Sequence, residues 1–102
     1  MQLDLEVMRE RSGRASQLLA AMANPKRLMI LCQLVDGERS VGELSEILDI
    51  RQSTVSQHLA LLKKDGLVES RRDAQSQYYS LAGGEAQTII EALYQLYCAT
   101  DR

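Results

Sequence analysis

The sequence predicts a mainly α-helical domain with one β-hairpin, in the order four helices, two strands and a last helix (α-α-α-α-β-β-α). Apolar residues recur at helical spacing in five segments. Two short runs, 67–72 and 77–81, instead have the character of strands on either side of a polar tip at 73–76. A length of 102 residues fits one domain, and we expect residues 1–102 to form it.

The first two helices are predicted at about 4–22 and 25–35. Asn24-Pro25 separates them, because Asn is a good N-cap and Pro suits the first helical position, where its missing N–H costs nothing. Asp36-Gly37 ends the second helix. The residues expected to face inward are Ala15, Leu18, Leu19 and Met22 on the first helix, and Leu28, Leu31, Cys32 and Val35 on the second.

The third and fourth helices are short and closely connected. Ser40 and Glu43 have the spacing of a capping box, which starts a helix at about 41–48. After a connection at 49–52, the fourth helix is predicted to start near Gln52 or Ser53 and to end before Gly66, which suits the C′ position of a helix. Its inward stripe is predicted to be Val55, Leu59 and Leu62. Two short helices joined by a tight turn, at about 40–65, indicate a helix-turn-helix.

The hairpin at about 67–81 follows directly, and we call it the wing. Gly83-Gly84 then breaks the chain before a last helix at about 85–98. The inward residues of that helix are predicted to be Ala86, Ile89, Ile90, Leu93 and Tyr97. The complete order predicts a winged helix-turn-helix domain.

The charge distribution favours nucleic acid more than the net charge of −2 does. From Arg51 to Arg72 there are five basic and two acidic residues, so this segment is +3 and the rest of the chain is −5. A basic patch on an acidic body still attracts a polyanion. No apolar run approaches the roughly 20 residues of a membrane span and no secretory signal is evident, so we expect a cytoplasmic protein with no membrane partner.

The fourth helix carries hydrogen-bonding side chains at its amino end, the end that a recognition helix inserts into the major groove. Gln can pair with an adenine edge, and Ser and Thr with bases or phosphates. Lysines at the far end and wing arginines suit phosphates, and Arg can also enter the minor groove. The expected DNA-binding residues are Gln52, Ser53, Thr54, Ser56, Gln57, His58, Lys63, Arg71, Arg72 and Gln75, with Lys64 beside them.

Two other classes of function compete with DNA binding. An enzyme is disfavoured, because one histidine, no paired carboxylates in a plausible cleft and no glycine-rich phosphate loop leave no catalytic constellation. A protein-interaction winged helix that never touches DNA remains open, although such domains usually lack a polar groove face and a basic wing.

Several stretches resemble the ArsR/SmtB family of repressors, from about Ala15 to Cys98. They are ANPKRLMIL at 23–31, SVGEL at 40–44, QSTVSQHL at 52–59 followed by Leu62-Lys63, the wing sequence RRDAQ at 71–75 and the Tyr78-Tyr79 pair. The resemblance implies a homodimer with the first and last helices at its interface. It also implies repression of an operon through double-stranded operator DNA, relieved when an inducer is sensed.

The metal sites of this family are not expected here, and neither is a cofactor. Its arsenic and cadmium sensors often carry a Cys-x-Cys pair in the third helix, which has no cysteine in this chain. Its zinc and nickel sensors use Asp and His on the last helix, yet residues 85–102 contain no histidine.

The two cysteines, Cys32 and Cys98, are expected to be free thiols, and their positions resemble those of the SqrR/BigR persulfide-sensing subgroup. That resemblance implies that reactive sulfur species oxidise the pair to an intraprotomer sulfide or polysulfide bridge, which lowers DNA affinity. Three alternatives stay open: a sensor of peroxide or general thiol oxidation, a HlyU-like DNA binder without an inducer, and a Cys32 that only fills the core.

Overall fold

Residues 1–99 are described by a computed structural model. Its elements are α1 (Leu5–Met22), α2 (Pro25–Val35), β1 (Arg39–Ser40), α3 (Val41–Leu48), α4 (Gln52–Lys64), β2 (Val68–Asp73), β3 (Ser76–Leu81) and α5 (Glu85–Tyr97). The predicted order of helices and wing is confirmed. The last three residues of the predicted domain, 100–102, lie outside the described residues.

The helix starts follow the local capping signals. The Asn24 side chain accepts hydrogen bonds from the backbone N–H groups of Lys26 and Arg27, at 3.0 and 3.1 Å, and Pro25 opens α2. Ser40 Oγ accepts from the N–H of Glu43, whose carboxylate accepts from the N–H of Ser40 in return. The predicted capping box is therefore confirmed, and α3 begins where these bonds place it.

The wing belongs to a three-stranded antiparallel sheet in the order β1-β3-β2, so the expectation of a two-stranded hairpin was incomplete. The two-residue strand β1 pairs Arg39 with Tyr79 and Ser40 with Tyr78. The tip is also tighter than expected, because Asp73 pairs with Ser76 and leaves only Ala74 and Gln75 between the strands. A strand as short as β1 has too little sequence pattern to be predicted.

The core lies between α2, α3, α4, the base of the wing and α5. The predicted stripe of α4 is confirmed, since Val55, Leu59 and Leu62 are each 0% exposed. The other buried apolar residues are Ala21, Met22, Ile30, Leu31, Leu34, Leu44, Leu67, Val68, Ala86 and Ile90.

The inward predictions for Leu19 and Tyr97 were wrong for the single chain, in which these residues are 55% and 73% exposed. In α1 only the last two residues, Ala21 and Met22, are buried, and Leu18 is partly buried against the core; most of the remaining helix is exposed. A hydrogen bond joins α1 and α2 at their junction: Arg27 Nε donates to the carbonyl oxygen of Ala21 at 2.7 Å.

Among residues 1–99 no single helix has the length and apolar character of a membrane span. By length and composition only the pair α1 and α2, bent by 95° at their junction, would meet the criterion together.

Candidate nucleic-acid interface

The turn between α3 and α4 is fixed by its own hydrogen bonds. Asp49 adopts a left-handed conformation with φ of 55°, which reverses the chain after α3. Ser45 then closes the turn: its carbonyl oxygen accepts from the N–H of Ile50 at 3.1 Å, and its hydroxyl donates to the carbonyl oxygen of Ile50 at 2.5 Å. These bonds set the angle at which the amino end of α4 leaves the turn.

The amino half of α4 presents a polar face to solvent. Ser53, Ser56 and Gln57 are exposed while Val55 and Leu59 point into the core. Gln52 is exposed beside them, and Thr54 is half-buried. A helix buried on one side and bearing amide and hydroxyl groups at its exposed amino end has the chemistry needed to read base edges.

The N-cap of α4 adds a second feature to this surface. Arg51 occupies the N-cap and makes no side-chain capping bond. The first backbone N–H groups of α4 are therefore not bonded by the cap residue, and they point from the positive end of the helix dipole. Such a terminus suits a phosphate oxygen.

His58 lies apart from this polar face. It is half-buried beside the amino end of α2, and its buried Nδ1 has no hydrogen-bond partner among residues 1–99. Burial lowers the pKa of His58, and the positive charges of Arg27 and Lys26 lower it further. The imidazole is therefore less exposed than Ser53 and Gln57 and lies within electrostatic range of the first turn of α2.

The carboxyl end of α4 is linked to the wing through one hydroxyl group. Lys63 Nζ and Gln77 Nε2 both donate to Ser70 Oγ, at 2.9 and 3.0 Å. Arg72 and Gln75 are exposed further along the wing. The expected wing and helix residues therefore lie on adjoining elements.

Arg71 is held by a residue that sequence reasoning missed. Its guanidinium forms a two-nitrogen ion pair with Glu38 and lies 5.1 Å from the centre of the Tyr78 ring. Arg71 lowers the pKa of the Glu38 carboxyl chiefly by hydrogen bonding, and Glu38 in turn raises the pKa of Arg71. Glu38 stands outside the basic segment in sequence, and only the β1–β3 pairing brings it there.

The two cysteines belong to helices that pack against each other, α2 and α5. Cys32 is a half-buried residue of α2, and Cys98 is the exposed C-cap of α5; both are free thiols. Burial raises the pKa of the Cys32 thiol, and the negative charge of Cys98 raises it further. The two residues are therefore within electrostatic range of each other. Within residues 1–99 no three or more His, Cys, Asp or Glu side chains are grouped so that they could hold a metal ion.

Comparison with known proteins decides the family. Residues 24–70 match the family model described as bacterial regulatory protein, arsR family. The chain is also 49% identical over 100 residues to the transcriptional activator HlyU of Vibrio cholerae, covering 98% of this chain and 93% of HlyU. The chain belongs to the ArsR family. It is thus a transcriptional regulator, and the family expected from the sequence is confirmed.

Solved structures of similar proteins confirm the winged helix-turn-helix fold of this ArsR-family chain. The transcriptional repressor BigR from Xylella fastidiosa has a TM-score of 0.89 and 40% identity, with 95% of this chain and 99% of BigR covered. The homodimeric winged helix-turn-helix DNA-binding domain of Mb0332 from Mycobacterium bovis has a TM-score of 0.74 and 35% identity, with 93% and 85% covered. A structure of reduced HlyU from Vibrio cholerae has a TM-score of 0.85 and 52% identity, with 91% and 98% covered.

Proposed function

We propose that this ArsR-family regulator represses transcription by binding operator DNA as a homodimer, with the amino end of α4 in the major groove. The observation that carries the proposal is the exposed polar face of α4, set at a fixed angle by the α3–α4 turn. The proposed contacts to bases and phosphates come from Gln52, Ser53, Thr54, Ser56, Gln57, Lys63, Arg72 and Gln75.

His58 and Arg71 were also expected at this surface, and contacts within the chain give them supporting places in the proposal. His58 is half-buried on α4, which packs against α2, so we assign it to the support of α4 rather than to base contact. Arg71 is paired with Glu38 at the wing.

The homodimer in this proposal is supported by the apolar surface that the single chain leaves uncovered. The large apolar side chains exposed on α1 and α5 are Leu5, Val7, Met8, Leu19, Tyr94, Leu96 and Tyr97. An 18-residue helix with two buried residues gains little from packing within its own chain, so a second copy supplies the missing surface. The domain of Mb0332, which shares this fold, is described as homodimeric. Two copies of α4 would then read half-sites about 34 Å apart.

Gln57→Ala tests the DNA-binding part, with Gln87→Ala on the exposed face of α5 as the matched control. The probe is a duplex of about 30 base pairs, long enough for two half-sites, enriched from a random library by the wild-type protein. Losing a bidentate glutamine contact costs roughly 1–3 kcal/mol and the homodimer loses two of them, so we expect a Kd at least about 30-fold higher on the enriched duplex and little change on a random one. Equal binding by Gln57→Ala and wild type on the enriched duplex would refute the assigned role of α4.

We also propose that Cys32 and Cys98 switch this DNA binding in response to reactive sulfur. Cys98 is the exposed thiol, so its thiolate attacks the sulfane sulfur of a low-molecular-weight persulfide (RSSH). This step releases RS⁻ and leaves a persulfide on Cys98. The Cys32 thiolate then attacks the Cys98 Sγ and releases HS⁻, which leaves a Cys32–Cys98 bridge. Two thiols are oxidised while the persulfide is reduced to a thiol and sulfide; polysulfide donors would leave additional sulfur atoms in the bridge.

The support for this assignment is the place of the two thiols on the contacting helices α2 and α5 and the influence of Cys98 on Cys32. Mass spectrometry of persulfide-treated protein should show a bridged peptide pair, and anisotropy should show release of the enriched duplex. Cys32→Ser and Cys98→Ser each should abolish both changes. Unmodified thiols together with unchanged binding would contradict the switch and favour a regulator without an inducer. Bridging by peroxide but not by persulfide would point to general thiol oxidation.

A further inference from the structure

The two neighbouring arginines of the wing lie on opposite faces of its sheet. Side chains alternate along a strand, so Arg71 and Arg72 of β2 point to different sides. Arg72 shares its face with Ser70, the residue bonded to Lys63 of α4. The Arg72 side is therefore the side next to the carboxyl end of α4, where Lys63 is another proposed phosphate contact.

Every nitrogen of the Arg71 guanidinium is directed to a carboxylate. Nε donates to both carboxylate oxygens of Glu38, at 3.1 and 3.2 Å, and Nη2 donates to Oε1 at 2.5 Å. Nη1 lies 3.9 Å from a carboxylate oxygen of Asp73. One positive charge thus faces two negative ones, which weakens the attraction of Arg71 for a DNA phosphate although 56% of its side chain is exposed.

Arg72 has the opposite surroundings. Its side chain is exposed and makes no ion pair with any residue in the described range 1–99. Its positive charge is therefore free to replace the counterions of a phosphate.

We infer that the two arginines have separate tasks: Arg72 is the wing residue that binds DNA phosphate, and Arg71 with Glu38 fixes the wing to the segment between α2 and β1. This inference rests on the proposed DNA binding. A planar guanidinium paired through two nitrogens holds a defined orientation, which a single lysine-type contact would not. β1 contains only two residues, so its backbone pairing with β3 is short. The Glu38–Arg71 pair adds a side-chain link between the residue that precedes β1 and strand β2. Glu38 is a positioning residue for the wing.

The test compares Arg72→Gln with the double variant Glu38→Gln/Arg71→Gln, which removes one charge of each sign and so keeps the net charge. Binding to a fluorescein-labelled random-sequence duplex of about 30 base pairs is measured against salt concentration. For Arg72→Gln we expect the slope of log K against log salt to shrink by about 0.9 for each protomer that loses a phosphate contact. The double variant should keep the wild-type slope.

Hydrogen exchange supplies the readout for the positioning task. Amides of β2 and β3 should exchange up to about fivefold faster in the double variant, as expected for the loss of an exposed ion pair, and at the wild-type rate in Arg72→Gln. A reduced salt slope in the double variant, an unchanged slope in Arg72→Gln, or unchanged exchange in the double variant would each overturn the division of tasks. If the wild type bound neither the random-sequence duplex nor the enriched duplex described above, the proposed function would be refuted, and with it the role of Arg72. The exchange rates would still decide the role of Glu38.

Discussion

Replacing Leu44 by Ala should destabilise the domain far more than the same replacement at Ile47 of the same helix. Leu44 of α3 is 0% exposed and packs in the core, whereas Ile47 is 50% exposed. Leu→Ala at a buried site costs about 3–5 kcal/mol, because the transfer free energy of the lost methyl and methylene groups adds to that of the cavity. For Ile47→Ala about half of the transfer free energy of the side chain is lost and no closed cavity forms. We therefore expect the free energy of unfolding to fall by about 1 kcal/mol or less.

Thermal unfolding followed by far-UV circular dichroism measures this difference. In a domain of this size each kcal/mol lowers Tm by about 4–8 °C, so Leu44→Ala should lower Tm by at least about 12 °C. Both variants must be compared at one protein concentration, because the stability of a dimer depends on it. Equal losses of stability would refute the assignment of Leu44 to the core, and a larger loss for Ile47→Ala would show that a second surface covers that side of α3.

Three further perturbations follow from local features of the chain. Ser40→Ala removes the capping-box acceptor of α3 and should cost about 1 kcal/mol in urea unfolding, while a loss near zero would mean that the box is not formed in solution. Gly66→Ala should destabilise the domain by about 1–2 kcal/mol, because Gly66 has φ of +79°. Gly13→Ala within α1 should stabilise it by about 0.5–1 kcal/mol, because glycine is unfavourable inside a helix. Effects of the same sign in both variants would contradict the backbone geometry. Burial and the nearby cations of α2 lower the pKa of His58, so the unfolded chain holds this proton more tightly than the native one. Stability should therefore rise with pH up to about 6.5, and His58→Gln should flatten that rise in urea midpoints measured from about pH 5 to 7.5.

Local chemistry in the sequence was enough to predict the helix boundaries. The N-cap bonds of Asn24 and the reciprocal bonds between Ser40 and Glu43 join residues no more than three positions apart, so their spacing can be read directly. The buried stripe of α4 was predictable for a similar reason, since helical periodicity alone separates Val55 and Leu59 from the residues between them.

Contacts between distant residues could not be predicted in this way. Glu38 and Arg71 are 33 positions apart, and neither their residue types nor their neighbours indicate that they pair. The pairing depends on β1 joining β3, and β1 has only two residues. Counting charges along the sequence could therefore predict Arg71 as a DNA-binding cation but not the two carboxylates that lie beside it.

Periodicity also finds an apolar face without showing what covers it. Leu19 and Tyr97 fit the helical spacing of α1 and α5, yet both are exposed in the single chain. Their helices carry most of the exposed large apolar residues of the described chain. The failed inward predictions and the proposed dimer surface therefore have one physical cause, which is an apolar face that its own chain does not cover.

The position of Cys32 explains why a bridge at α5 would reach the proposed DNA surface. α2 packs against α1, α3, α4, β3 and α5, and its residues Ile30 and Leu31 are fully buried. A close-packed helix cannot absorb a displacement locally, so a shift of α2 toward Cys98 is transmitted directly to α4. In a dimer the same shift occurs twice, and it changes the separation of two recognition helices that must match half-sites about 34 Å apart. A Cys32–Cys98 bridge that displaced neither α2 nor α5 would leave DNA affinity unchanged, because α5, which ends at Cys98, also lies on the proposed dimer surface. Displacement of one of these two helices is therefore the step on which the proposed switch depends.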